Sequence, residues 1–328
     1  MGIDTKAFKK GAAVLVRECG RARDGETLLV ISDASTEDVA RYVIEAAKAT
    51  SSKVQFKAVG GAKMHGQEPP REVADAMLKA DVIFCLTAFS MAHTKARKRA
   101  TDRGARYLSL PDYSLEQLAS PALTVDYASF SGVAGKLRDI LDNGKTVRVR
   151  TLMGTDLELN IAGRTANFCP GYTSEPGMLG SPPDIETNIA PLEEKSRGTI
   201  VVDGSIPCRE IGLVSEAIRV EVKAGNIRTV DTGTEQGRAL DTLLRAGGDE
   251  RRLILAEFGI GLNPQAKLCG RMLEDEGCMG TVHFGFGSNA TIGGENDVAF
   301  HLDLVIRNPT VVVDGLTVME EGRLCEPP

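Results

Sequence analysis

Only four histidines occur in this sequence, and two of them, His283 and His301, fall in one glycine-rich stretch with acidic residues around them. His301 and Asp303 flank a single leucine. On a strand, residues i and i+2 project from the same face, so an imidazole and a carboxylate would stand side by side. His283 opens a Phe-Gly-Phe-Gly run, where missing side chains let a ligand or a second backbone come close. Glu257 ends the run Leu-Ile-Leu-Ala-Glu and is followed by Gly-Ile-Gly. A carboxylate buried there must be paired or bound to a cation, because burying it alone is costly. Imidazole nitrogen with carboxylate oxygen suits zinc, manganese, cobalt or ferrous iron. Each residue alone has a plainer reading: a packed core histidine, a turn-capping glutamate, a structural His-x-Asp. Their crowding into one stretch points to a divalent-metal site. Two adjacent ions there would activate a bridging water and polarise a carbonyl.

The elements that must position these residues come in two styles. In the first part, residues 28–32, 54–59, 81–86 and 105–110 are short apolar runs, and 36–49, 69–79 and 91–103 have helical periodicity. Strands buried on both faces and separated by helices imply a parallel sheet. Residues 1–145 are therefore expected to form an open α/β domain of Rossmann or flavodoxin arrangement, with residues 1–16 as a first amphipathic helix. No GxGxxG follows the first strand and no GxxxxGK[ST] occurs, so the sheet is no sign of a nucleotide. Beyond residue 145, segments 147–150, 156–161, 198–202, 218–222 and 226–230 alternate like antiparallel strands, with one helix over 234–246. Residues 146–328 read as a β-rich metal-site domain. Residues 167–183, rich in Gly, Pro and Ser, read as a long ordered loop or lid.

Bulk properties bound the partners. A chain of 328 residues suits two domains. Charged residues make up 26%, the net charge is -6 and no basic block stands out, so nucleic acid is not an expected partner. No apolar run approaches the ~20 residues that span a bilayer, so no membrane is expected either. Seven cysteines, an odd number with no CxxC pair, argue against a disulfide framework and for a cytoplasmic setting. Ser90, His93, Thr94 and Arg97 follow the third expected strand, where ligands of open α/β sheets bind. They are candidates for a substrate carboxylate, or simply an exposed basic helix start.

The runs Glu257-Phe-Gly-Ile-Gly-Leu-Asn-Pro and Glu276-Gly-Cys-Met-Gly-Thr-Val-His283-Phe-Gly-Phe-Gly, with His301-Leu-Asp303, resemble the aminopeptidase T family of metallopeptidases. The resemblance covers about residues 180 to 316 and implies an N-terminal α/β domain, a C-terminal two-metal site and a homodimer. Carried over, it implies Glu257, His283, His301 and Asp303 as ligands of two divalent ions (Zn, Mn or Co). The segment Asp184-Ile-Glu186 adds Glu186 as a further ligand or bridge, and Glu186 or Glu257 as the catalytic proton shuttle. The implied activity is a metallohydrolase acting on a peptide or small amide. One departure bears on this. The peptidases carry a tyrosine where this chain has Ala290, with Asn289 beside it as a candidate substrate contact, so a phenol donor to an oxyanion is missing.

The same fold includes 2,5-dihydroxypyridine 5,6-dioxygenase, which is similar in its final His-x-Asp. That resemblance implies a single Fe(II) and ring cleavage. It has a histidine where this chain has Glu257 and an apolar residue where this chain has His283, and this difference favours the hydrolase expectation. A non-catalytic, metal-stabilised binding protein is the third reading.

Overall fold

The computed structural model describes residues 5–62 and 64–325. The first apolar runs become β1 (Thr27–Ser32), β2 (Lys53–Ala58), β3 (Val82–Leu86) and β4 (Arg106–Ser109). They pair in parallel in the order β2-β1-β3-β4. Every residue of β3 and all but the first of β1 is buried, which is why these strands read as continuous rather than alternating apolar runs. α1 (Thr5–Val14) precedes them, and between them lie α2 (Glu37–Lys48), α3 (Arg71–Met77) and α4 (Lys95–Asp102). On α2 the stripe Val39, Ala40, Val43 and Ala47 is buried, one face of a 3.6-residue period. Residues 1–4 of the expected first helix lie outside the described residues.

The remaining strands are β5 (Thr146–Arg150), β6 (Asp156–Asn160), β7 (Asn167–Cys169), β8 (Leu179–Gly180), β9 (Glu186–Ile189), β10 (Arg197–Val202), β11 (Ser205–Ile206) and β12 (Gly212–Leu213). They continue with β13 (Ile218–Lys223), β14 (Asn226–Val230), β15 (Leu255–Gly261), β16 (Thr281–Gly287), β17 (His301–Arg307), β18 (Thr310–Val313), β19 (Leu316–Glu320) and β20 (Arg323–Leu324). An eight-stranded antiparallel sheet runs β14-β13-β10-β6-β5-β18-β19-β20, and a seven-stranded one runs β12-β11-β17-β16-β15-β9-β7. Among the described residues no helix is long and apolar enough to cross a membrane.

The chain divides into two compact units, residues 1–127 with 170–183, and residues 128–169 with 184–328. This differs from a single boundary at 145/146 in two places. The helix Tyr127–Asn143 belongs almost wholly to the second unit, where Ala134, Leu137 and Leu141 are buried and Thr187 donates to the Ala134 carbonyl at 3.4 Å. Residues 170–183 return to the first unit, where β8 adds to the edge of β4 and Thr173 donates to the Cys19 carbonyl through its backbone NH at 2.7 Å. The expected lid over 167–183 is therefore corrected. Its first residues form β7 in the seven-stranded sheet, and its last part forms β8 in the parallel one.

The seven-stranded sheet separates two chemistries by strand alternation. One face carries Phe258, Ile260, Val282, Phe284, Phe286, Leu302, Leu304 and Ile306, all buried. The Phe258 and Phe284 rings pack with centroids 6.0 Å apart. The other face carries the acidic residues and histidines. A register shift between Leu255 and Glu257 lets Leu255 pair with Phe286 while Glu257 pairs with Gly285, re-aiming Glu257 toward the polar side. Because Phe284 is fully buried under the polar face, Phe284→Ala is expected to cost about 3–5 kcal/mol of stability. Denaturant unfolding measures this, and a loss below about 1 kcal/mol would show that the apolar face does not hold the sheet.

Candidate metal centre

Neighbouring strands bring the donors together. The register pairs Gly261 with Glu186, Gly259 with His283, Glu257 with Gly285, Gly285 with Asp303 and Gly287 with His301. Glu186, Glu257, His283, His301 and Asp303 thus meet on the polar face. His283 Nε2 lies 3.1 Å from Glu186 Oε2 and 3.9 Å from Glu257 Oε1. His301 Nε2 lies 3.2 Å from Glu257 Oε2 and 3.2 Å from Asp303 Oδ1. The donors form two triads that share Glu257: Glu186, Glu257 and His283, and Glu257, His301 and Asp303, each with its ligand atoms within 4.8 Å of one another. The first triad is fully buried. The second opens outward through His301, whose side chain is 33% exposed.

Glycines make the room. A Cβ on Gly259 would stand 2.1 Å from His283 Nε2, and one on Gly285 would stand 2.7 Å from His301 Nε2. Each imidazole therefore lies over the bare backbone of a neighbouring strand, which explains the Gly-Ile-Gly and Phe-Gly-Phe-Gly runs.

The electrostatics fit a cation. Among the described residues no Lys or Arg pairs with any of the five, so their charges answer one another. Burial opposes charge on both histidines, but Glu186 and Glu257 around His283, and Asp303 and Glu257 around His301, override it and hold both imidazoles well above their ordinary pKa. Burial likewise works against ionised Glu257 and Asp303, yet the two histidines keep both carboxyls below the usual range. Glu186 Oε2 and His283 Nδ1 are buried without a well-aligned hydrogen bond, although His283 Nε2 is at contact distance from that oxygen. Donor atoms that face one another without bonding fit a metal ion between them.

Two acids escaped the reading of the sequence as donors. Asp184 precedes Glu186 by two residues, and burial followed by the Glu186 charge holds its carboxyl well above the usual range. With Cys169, the cross-strand partner of Glu186, it forms a third group of possible ligands. The i, i+2 spacing was the available signal. Burial and then the Asp303 charge hold the Glu276 carboxyl well above the usual range, and it lies within hydrogen-bonding reach of Asp303. It sits beyond a short helix, Met272–Asp275, and no sequence periodicity ties it to Asp303.

The other candidates are placed elsewhere. Ser90, His93, Thr94 and Arg97 lie in the first unit, whereas the five donors lie in the second. Thr94 is buried as the N-cap of α4, accepting from Arg97 N at 3.1 Å and donating to Met91 O at 2.8 Å. Arg97 bonds the Ala92 carbonyl, and Ser90 Oγ lies 3.2 Å from Ser109 Oγ. His93 is exposed. Asn289 is fully buried, with its amide shared between Glu193 and Asn296. It holds a loop and does not face a substrate, which corrects its expected role.

A sheet face of nitrogen and oxygen donors is a group of side chains that could hold a divalent metal, and the comparisons supply the family. Residues 9–326 match the family described as NicX: 2,5-dihydroxypyridine 5,6-dioxygenase, and the chain belongs to it. Over 198 residues the chain is 27% identical to the 2,5-dihydroxypyridine 5,6-dioxygenase of Pseudomonas putida KT2440. That match spans 57% of this chain and 56% of the relative, so the chain covers little over half of that protein's length. The fold is that of the 2,5-dihydroxypyridine dioxygenase structure from Pseudomonas putida KT2440, with TM-score 0.83, 20% identity and coverage of 98% and 97% of the two chains. It is shared more distantly by wild-type AmpT from Thermus thermophilus, with TM-score 0.65, 16% identity and coverage of 98% and 99%.

These matches correct the sequence reading. The fold is shared with AmpT, but a metallohydrolase or metalloprotease is not supported, because the family that spans the chain is one of dioxygenases. The error has a physical source. Glu186, Glu257 and His283 were weighed as marks of a hydrolase, yet nitrogen and oxygen donors serve iron as well as zinc.

Two outcomes follow from this geometry. The surrounding carboxylates hold both imidazoles well above their ordinary pKa, so an incoming ion competes with protons. Apparent cobalt(II) affinity should therefore fall as pH is lowered through neutrality, by about tenfold per pH unit for each proton displaced. Cobalt titrations across about pH 6 to 8 measure this, and a pH-independent affinity would contradict it. Gly259→Ala should push the His283 ring aside and lower metal content while circular dichroism stays that of the parent. Unchanged metal content would mean that His283 is not a donor.

Proposed function

We propose that this chain is a ferrous dioxygenase that opens a hydroxylated nitrogen-containing ring of the 2,5-dihydroxypyridine kind. The carrying observation is the outward-opening triad Glu257, His301 and Asp303, in a chain spanned almost end to end by a dioxygenase family. Three protein donors leave positions for substrate and oxygen, as non-haem oxygenases require, with one histidine and two carboxylates here in place of the usual two histidines and one carboxylate. Bound ferrous iron supplies the one-electron chemistry by which O₂ reacts with a closed-shell ring.

The chain's own groups do the rest. Ser288 O accepts from His301 Nδ1 at 2.9 Å, which leaves Nε2 as the ligating atom. Glu276 lies within hydrogen-bonding reach of Asp303. Glu186 has Oε1 engaged by Asn188 at 2.6 Å, while Oε2 faces His283 Nε2 at 3.1 Å. The buried triad of Glu186, Glu257 and His283 has the donors for a second divalent ion (Zn, Mn or Co) beside the iron. All seven cysteines are free, which supports a cytoplasmic setting, and the partner is a small molecule.

The test is anaerobic loading with ferrous iron, followed by oxygen uptake in the presence of 2,5-dihydroxypyridine. The expected result is one O₂ consumed per ring lost, with iron retained by the protein. Asp303→Asn and His301→Ala should each lower uptake by more than the about 10–100-fold that losing an outer-shell partner costs. A protein carrying stoichiometric iron that leaves oxygen untouched with every hydroxylated pyridine offered would overturn the proposal.

A further inference from the structure

The two histidines are held in different ways. His283 Nδ1 is buried without a hydrogen-bond partner, and the ring is held by packing over Gly259 and by Glu186 at its Nε2 end. His301 Nδ1 is instead engaged by the Ser288 carbonyl at 2.9 Å. Ser288 begins the loop 288–300 between β16 and β17, and its backbone NH donates to Phe300 O at 2.8 Å, closing the loop at its base.

One residue reaches both neighbours of Ser288, Gly287 through its side chain and Asn289 through its backbone. Asn296 Nδ2 donates to Gly287 O at 2.6 Å and to Arg251 O at 2.8 Å. Its backbone NH donates to Asn289 Oδ1 at 2.8 Å, and its carbonyl accepts from Asn289 N at 2.9 Å. Asn296 is 6% exposed and Asn289 is fully buried, so water does not compete for these bonds. The residues before and after Ser288 are thus fixed to the same residue, Gly287 by the Asn296 side chain and Asn289 by the Asn296 backbone, and the direction of the Ser288 carbonyl between them is fixed as well. The loop tip is tied separately: Glu193 Oε1 accepts from Asn289 Nδ2 at 3.0 Å and from Glu295 N at 2.8 Å, and Arg164 Nη1 donates to Gly293 O at 2.6 Å.

We propose that Asn296 is a positioning residue for the metal site: through Gly287 and Asn289 it aims the Ser288 carbonyl at His301, which fixes the ring's orientation and keeps the proton on Nδ1. A carbonyl can only accept, so Nδ1 must donate, and Nε2 is left facing Glu257 and Asp303. The inference rests on His301 being a metal donor, part of the function proposed above. It does not need the oxygen chemistry.

The experiment compares Asn296→Ala with Arg164→Met, which removes the loop-tip ties to Gly293 and Glu193 and leaves the bonds that Asn296 and Ser288 themselves make in place. Two quantities are read in the full chain: cobalt(II) affinity by chelator competition, and the His301 Nδ1–H resonance of the metal-free protein by nitrogen-edited NMR. Asn296→Ala is expected to weaken cobalt binding about 10–100-fold and to broaden or lose that resonance. Arg164→Met is expected to change neither by more than about threefold, because none of its bonds reaches Gly287, Ser288 or His301. Asn296→Ser keeps one donor in a similar volume and serves if the alanine variant does not fold, with an intermediate loss expected. Parent-like affinity and an intact resonance in the Asn296 variants would overturn the proposal, as would an equal loss in Arg164→Met. A parent protein that binds no cobalt would instead overturn the metal site itself, while cobalt binding without oxygen uptake would overturn only the dioxygenase.

Discussion

Glu257 meets a histidine with each of its two carboxylate oxygens, and the seven-stranded sheet is arranged so that it can. The residue is buried, has no lysine or arginine to answer its charge among the described residues, and stands between two donor triads. In water such a carboxylate would gain little from histidines. Out of water its charge must be matched by their protons or by a cation. The bulge before it, the apolar face beneath it and the glycines beside it all serve to hold this one carboxylate away from solvent and between two imidazoles.

The strand period makes the arrangement economical. A sheet with one apolar face and one polar face needs only alternation, and the sequence His-Phe-Gly-Phe-Gly supplies it in five residues. Phenylalanines anchor the strand from below. Histidine and glycines leave the upper surface open for neighbouring strands to place side chains over it. The same rule puts His301 and Asp303 together with nothing more than one intervening leucine.

Much of this was legible from residue order, and the limits were physical. Apolar runs gave the parallel sheet, because strands buried on both faces carry no other pattern. Spacing alone gave the shared face of His301 and Asp303. Glu276 was legible only as part of a motif, since its bond to Asp303 depends on how a short helix turns the chain. Asn289 looked like a contact near the site because it is polar and adjacent. Its burial, and the Glu193 and Asn296 groups that use it up, are tertiary facts. The choice between hydrolase and oxygenase lay beyond the donor set, because carboxylate and imidazole bind several metals and each metal supports its own chemistry.

The chain passes from one unit to the other at 127/128, at 169/170 and at 183/184. Neither unit is therefore one uninterrupted stretch of polypeptide. Cutting once between them frees no intact piece: a break near residue 128 takes β8 from the edge of the parallel sheet, and a break near 184 takes β5, β6 and β7 from the two antiparallel sheets. Genetic recombination with a single crossover meets the same obstacle. The α/β half cannot be exchanged as a cassette without carrying its edge strand across the join, so the two halves are bound to be inherited together.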